Sequence, residues 1–190
     1  MHKPRAIPNT DVPVFRGEAI LLPNPHRVWL PIRKNGWTAT YSAIRNCQQP
    51  WYPIPEHFLD AYRSVRRVAH WRNPYDRMES AFRFFSQHNH PHTVPDPSAG
   101  FSNWVIQISE TPDEQRDPHL ISQWRSVTQL YTEGPDVVIR WDFSKLATEF
   151  IVPEIPHVNK SRGERQHWTD EAEAKFYHSY HKDFEVWYDV

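Results

Sequence analysis

The chain of 190 residues predicts one α/β domain with a central, mainly parallel sheet flanked by helices on both faces. Three observations carry that expectation. Short apolar runs at residues 26–32 (HRVWLPI), 65–71 (VRRVAHW) and 137–141 (VVIRW) read as strands. Helix signals follow each of them. A hydrophobic content of 38%, with 9 Trp, 8 Tyr and 10 Phe, is enough apolar surface for a real core. Folds of this kind collect their ligands at the carboxyl ends of the strands.

Taken in order, residues 1–25 are proline-punctuated and read as an irregular segment, which leaves 26–190 as the domain. After the first strand, Gly36 fits a tight turn and Thr38 a cap for a helix over residues 39–47. Pro50, Pro53 and Pro55 interrupt regular structure before a short helix over 56–64. The second strand ends at Asn73-Pro74, where Asn73 can cap, Pro74 suits the first helical position and Asp76 lies in the positive first turn. Met78, Ala81, Phe82 and Phe85 recur at helical spacing, as do Phe101, Trp104, Val105 and Ile108. Residues 111–119 read as a polar loop. A short helix is expected over 144–150. A final helix capped by Thr169 carries Asp170 and Glu171 in its first turn and a stripe of Phe176, Tyr180 and Phe184.

Composition narrows the function. The single Cys47 excludes an intrachain disulfide framework and a cysteine-built zinc site. No apolar run approaches a membrane span, and the N-terminus has no signal-peptide core, so a soluble, cytoplasmic protein is expected, with no membrane partner. Residues 1–90 hold 13 Lys/Arg against 6 Asp/Glu, and residues 91–190 hold 9 against 17. The basic half points to an anionic ligand; a nucleic-acid binder would be basic throughout. His88, His90 and His92 alternate beside Pro91, and this reads as a solvated loop, with no metal expected.

Two stretches carry chemistry. Strand, Lys34-Asn35-Gly36-Trp37-Thr38-Ala39-Thr40, helix is the layout of a phosphate cradle. A turn at a helix N-terminus offers free amides and the positive end of the helix dipole. Lys34 adds a full charge, and Thr38 and Thr40 add hydroxyl donors. The ATP-type loop GxxxxGK[ST] is absent, and the pattern alone also fits an ordinary strand–turn–helix corner. The second stretch is Arg72-Asn73-Pro74-Tyr75-Asp76-Arg77-Met78-Glu79-Ser80-Ala81-Phe82. There Arg72 ends a strand and can present a bidentate fork to a phosphate. Ser80 follows two turns into the next helix, and Arg77 is placed to brace the site through a carboxylate or a carbonyl.

These stretches resemble the sulfotransferases that use 3′-phosphoadenosine 5′-phosphosulfate. Lys34-x-Gly36-x-Thr38 resembles the family's 5′-phosphosulfate loop, P-K-x-G-[ST/C]-[ST], with Arg33 in place of Pro and Trp37 at a usually small position. Residues 72–82 resemble the 3′-phosphate motif R-[DN]-P-x-x-R-x-x-S-A-[YF] without a gap. Asp117-Pro118-His119-Leu120-Ile121-Ser122-Gln123 resembles D-x-H-x-x-P-Q of the Golgi-type carbohydrate class, with Ser122 replacing Pro. His157-Val158-Asn159-Lys160-Ser161 is similar to that class's H-[LV]-N-x-S segment. Arg162-Gly163, with Trp168 beyond, is similar to the late R-K-G-x-x-G-D-W loop of the cytosolic class. Tyr180, Asp183 and Phe184 fit the family's last helix and fit plain core packing equally well. The resemblance runs from about residue 27 to 188.

The resemblance implies a P-loop-like single domain. It implies transfer of a sulfuryl group from 3′-phosphoadenosine 5′-phosphosulfate to a carbohydrate or small-molecule hydroxyl, releasing 3′-phosphoadenosine 5′-phosphate, without a metal. It implies that Lys34 and the loop from Asn35 through Gly36, Trp37, Thr38 and Ala39 to Thr40 hold the 5′ side, that Arg72 and Ser80 bind the 3′-phosphate, and that Arg162 and Gly163 close over it. A hydroxyl acceptor must lose a proton as it attacks, and a neutral imidazole suits that near pH 7. His119 is the candidate base, with Asp117 to orient it. Two other classes stay open: a P-loop-type nucleotide or small-molecule kinase, which requires acidic magnesium ligands, and a non-catalytic binding or structural protein on the same fold.

Overall fold

The computed structural model describes residues 19–23, 26–47, 50–88, 94–155 and 164–189. Five strands, β1 (Ala19–Pro23), β2 (His26–Leu30), β3 (Tyr52–Ile54), β4 (Arg67–Trp71) and β5 (Val137–Arg140), form one sheet in the order β3-β1-β2-β4-β5. β2, β4 and β5 run parallel, while β1 pairs antiparallel with both β2 and β3. The fold is therefore α/β, but the sheet is mixed, where a mainly parallel one was expected.

The correction comes from two strands that the sequence reading passed over. β1 lies inside the stretch expected to be irregular. Its run AILL alternates, with Ile20 and Leu22 on one face and Ala19 on the other, and each is buried. β3 contains Pro53, which cannot donate to a ladder but is tolerated on an edge strand.

Helices cover both faces of the sheet. On one, α1 (Trp37–Asn46) and α5 (Phe143–Phe150) pack over Ile20, Trp29, Val68 and Ile139. On the other lie α4 (Gln123–Thr128), the 3₁₀ helix Glu56–Tyr62 and the last helix α7 (His181–Asp189), over Val28, Leu30, Ala69 and Trp71. A third cluster joins α2 (Pro74–Gln87), α3 (Phe101–Glu110), α6 (Asp170–Ser179) and α7 through Met78, Phe85, Trp104, Phe176 and Phe184.

Local chemistry sets the helix starts. Asn73 Oδ1 accepts from the amides of Tyr75 and Asp76, with Pro74 next in line, as expected for α2. Thr169 Oγ1 accepts from Ala172 N at α6. The expected final helix is two: α6 ends at Ser179, and buried Tyr180, donating its hydroxyl to the Leu120 carbonyl, marks the break before α7. Among the described residues no helix is long and apolar enough to cross a membrane.

Candidate anion site at the carboxyl edge of the sheet

The parallel strands β2, β4 and β5 end on one edge, so the segments after them meet there. After β2 the chain turns through residues 33–36. Lys34 and Gly36 both take left-handed backbone, at φ 67° and 73°. Gly36 has no alternative. A Cβ there would lie 2.7 Å from Phe143 Cε1, on α5. α1 begins at Trp37, capped by Gly36, so Thr38 lies within the first turn and is not the cap. Neither a side-chain cap nor an acidic residue occupies that turn among the described residues.

The loop's side chains divide into two kinds. Asn35 is only 2% exposed and points inward, its Nδ2 donating to the His70 carbonyl at 2.7 Å and to Gln123 Oε1. His70 Nδ1 donates back to the Asn35 carbonyl at 3.0 Å. Burial, more than any neighbour, pulls His70 down to about 4, so the ring is neutral near pH 7. Thr40 is fully buried and its hydroxyl donates to the Gly36 carbonyl, so it braces the helix start and offers nothing outward. Trp37 stacks on Tyr41 at 5.6 Å. Lys34 alone of these residues sends a charge towards the edge, where its Nζ lies 4.5 Å from the centre of the Phe84 ring.

Arg72, one residue past β4, is clamped to this loop. Its NH1 donates to the Lys34 carbonyl at 3.1 Å and its guanidinium lies 4.5 Å from the Trp141 ring centre. Gln123, at the start of α4, accepts from Arg72 N and donates to Arg72 O, both at 3.0 Å. Arg72 Nε is buried without a hydrogen-bond partner among the described residues. Arg77 is 2% exposed and donates from Nε to the Arg33 carbonyl and from NH2 to the His119 carbonyl, each at 3.2 Å. It is the brace that the spacing indicated, acting through carbonyls. Ser80 is buried further along α2.

The charges are unbalanced. Burial first, then the guanidinium groups of Arg72, Arg77 and Arg83, pull Lys34 down to about 8. Burial likewise pushes Arg72 down to about 10, despite the attraction of Asp76. Arg83 pairs with Glu79 at 3.3 Å, yet its Nε is buried without a partner among the described residues. A site of this kind is costly without an anion and favourable with one.

His119 stands on the same edge. Its ring stacks on Phe84 at 5.3 Å, so one phenyl ring touches both the lysine and the histidine. Its Nδ1 donates to Asp117 Oδ1 at 2.7 Å, and its amide donates to the same oxygen at 2.8 Å. Burial works against ionising Asp117, but these bonds outweigh it and hold the carboxyl below its usual range.

The structure thus brings together Lys34, Gly36, Arg72 and His119. It turns the side chains of Asn35 and Thr40 away and buries Ala39 in the core beside α5. Arg162, Gly163, the segment 157–161 and His90 and His92 lie outside the described residues. Trp168 packs edge-on against Tyr75 and Phe101. Three participants received no role from the sequence: Arg83, Trp141 and Gln123, the last quoted only as the end of the 117–123 stretch. Arg83 follows Ser80 at helical spacing, a signal that was present. Gln123 and Trp141 are brought in only by tertiary contact. No group of three metal-ligating side chains occurs among the described residues. In comparisons with known proteins, the chain matches no family model, no curated protein and no solved structure.

Proposed function

We propose that this protein is a sulfotransferase on a P-loop-like domain, moving a sulfuryl group from 3′-phosphoadenosine 5′-phosphosulfate to a hydroxyl of a carbohydrate or similar polyol. The observation that carries the reading is the half-buried cationic cluster of Lys34, Arg72 and Arg83 beside a histidine whose far nitrogen is held by a carboxylate. In this reading Lys34 and the first-turn amides of α1 take the 5′ side of the donor. Arg72 and Ser80 take the 3′-phosphate, and Arg162 and Gly163 close over it.

The donor supplies an activated sulfur–oxygen bond. As the acceptor oxygen bonds to sulfur, the bond from sulfur to the bridging phosphate oxygen breaks, and that oxygen keeps the electron pair. His119 Nε2 takes the acceptor's proton, while Asp117 keeps the ring oriented. Lys34 offsets charge on the leaving phosphate. Positioning and electrostatics of this sort need no covalent intermediate. Losing one such donor group costs about two to three orders of magnitude in rate, so Lys34→Ala should lower turnover far more than stability.

Titration calorimetry with 3′-phosphoadenosine 5′-phosphate, with AMP and ATP as controls, tests the reading. Selective binding that disappears in Arg72→Ala is expected. Equal binding of AMP, or preference for ATP with magnesium, would overturn it and favour the kinase class.

A further inference from the structure

Lys34 owes the place of its charge to a neighbouring helix. Its backbone is left-handed and its carbonyl is tied to Arg72 NH1, so the side chain alone aims the ammonium. Among the described residues that ammonium has no carboxylate and no hydrogen-bond acceptor. What it meets is the face of Phe84, 4.5 Å from Nζ to the ring centre. An aromatic face carries partial negative charge and attracts a cation, more strongly where water is scarce. The charges that act on Lys34 most, Arg72 at the end of β4 and Arg77 and Arg83 on α2, all repel it. Glu79 is turned to Arg83 and Asp117 to the far nitrogen of His119, while Arg33 NH1 lies 3.3 Å from His119 Nε2.

The ring is itself held. Phe84 stands two turns beyond Arg77 on α2, on the stripe that meets the loop after β2. Phe85 packs against it edge-on at 5.3 Å, and His88 stacks on it at 4.6 Å while donating from Nδ1 to the Phe84 carbonyl. His119 stacks on the same ring. The cation for the leaving oxygen and the imidazole for the incoming one therefore share one rigid surface. Resting on the donor site proposed above, we infer that Phe84 is a positioning residue for sulfuryl transfer: the face of its ring holds the Lys34 ammonium beside His119, so that the charge is in place before the donor's leaving phosphate takes it over.

The titration of Lys34 in the free protein can be followed at its ε-carbon by NMR, with Lys34→Met to assign the signal. Wild-type protein should give a midpoint of about 8. A trifluorinated phenylalanine at position 84 keeps the shape of the ring and drains the negative charge from its face, so the midpoint should fall by about 0.4–1.5 pH units. A monofluorinated ring should give a smaller fall, and serves if the trifluorinated chain folds poorly. Phe84→Tyr, which keeps the aromatic face, should leave the midpoint in place. In the calorimeter, the pH above which affinity for 3′-phosphoadenosine 5′-phosphate declines should move down with the midpoint. A ring that only shields the lysine from water would give the same midpoint with or without fluorine. That result, beside normal nucleotide binding, would overturn the role of Phe84 and leave the donor site standing. Absence of nucleotide binding by wild-type protein would overturn the donor site, and with it the task of Phe84 in transfer.

Discussion

Arg72 NH1 donates to the carbonyl oxygen of Lys34 at 3.1 Å, although 38 positions separate the two in sequence. The bond joins the loop after β2 to the end of β4. Lys34 takes a left-handed backbone, and its carbonyl is bonded to Arg72 while its ammonium lies over Phe84. Two cations are thereby held close: Lys34 is lowered from its ordinary value by burial and then by Arg72, and Arg72 by burial and then by Arg83 and Arg77.

The first prediction concerns pH. Lys34 is near 8 in the free protein, and a bound anion favours its charged form. Above pH 8 the free protein must take up a proton to bind, so nucleotide affinity should fall as pH rises, by up to about tenfold per unit. Calorimetry between pH 7 and 10 measures this, and Lys34→Met should give a flat, weak profile. Stability runs the other way. Between pH 8 and 10.5 the unfolded chain binds the proton that folded Lys34 has lost, so this residue's contribution to stability rises with pH across that window. Lys34→Met should abolish the rise.

Arg83 provides the second. Its guanidinium adds to the field on both Lys34 and Arg72. Arg83→Gln should weaken binding of 3′-phosphoadenosine 5′-phosphate by about 10- to 100-fold, the range for a lost charge-assisted hydrogen bond. It should also flatten the slope of affinity against salt. Unchanged affinity would place Arg83 in a structural pair with Glu79 alone.

Gly36→Ala is the third. The added methyl meets Phe143 at 2.7 Å, on a backbone at φ +73°. A cost of about 1–3 kcal/mol is expected in urea unfolding. Adding Phe143→Leu should recover the part due to the clash and leave the part due to the backbone.

Much of the framework could be read from the residues because its signals are local. Asn73-Pro74 and Asp76 announced α2, and the cap bonds are there. β1 was hidden because AILL is short and lies among prolines, and only its pairing with β2 gives it a face. The α6–α7 break is invisible to periodicity, since Phe176, Tyr180 and Phe184 keep helical spacing through it. The cap of α1 is Gly36, two positions before Thr38, and its left-handed backbone has no side-chain bond to mark it in the residues. In the site, the loop cations were legible as a motif. The contacts that organise them, Gln123 on Arg72 and Arg33 on His119, join segments 51 and 86 positions apart and leave no trace in local spacing.

Asp183 carries a consequence for synthesis on the ribosome. It is fully buried in α7, and its carboxylate accepts from the amides of Gln123 and Trp124, both at 2.8 Å, at the start of α4. Gln123 in turn holds the backbone of Arg72. A nascent chain that already contains Lys34, Arg72 and His119 still lacks the carboxylate that seats Gln123 until residue 183 has left the exit tunnel. The cationic edge is thus completed only once α7 has been made, because the carboxylate that seats Gln123 comes from that helix.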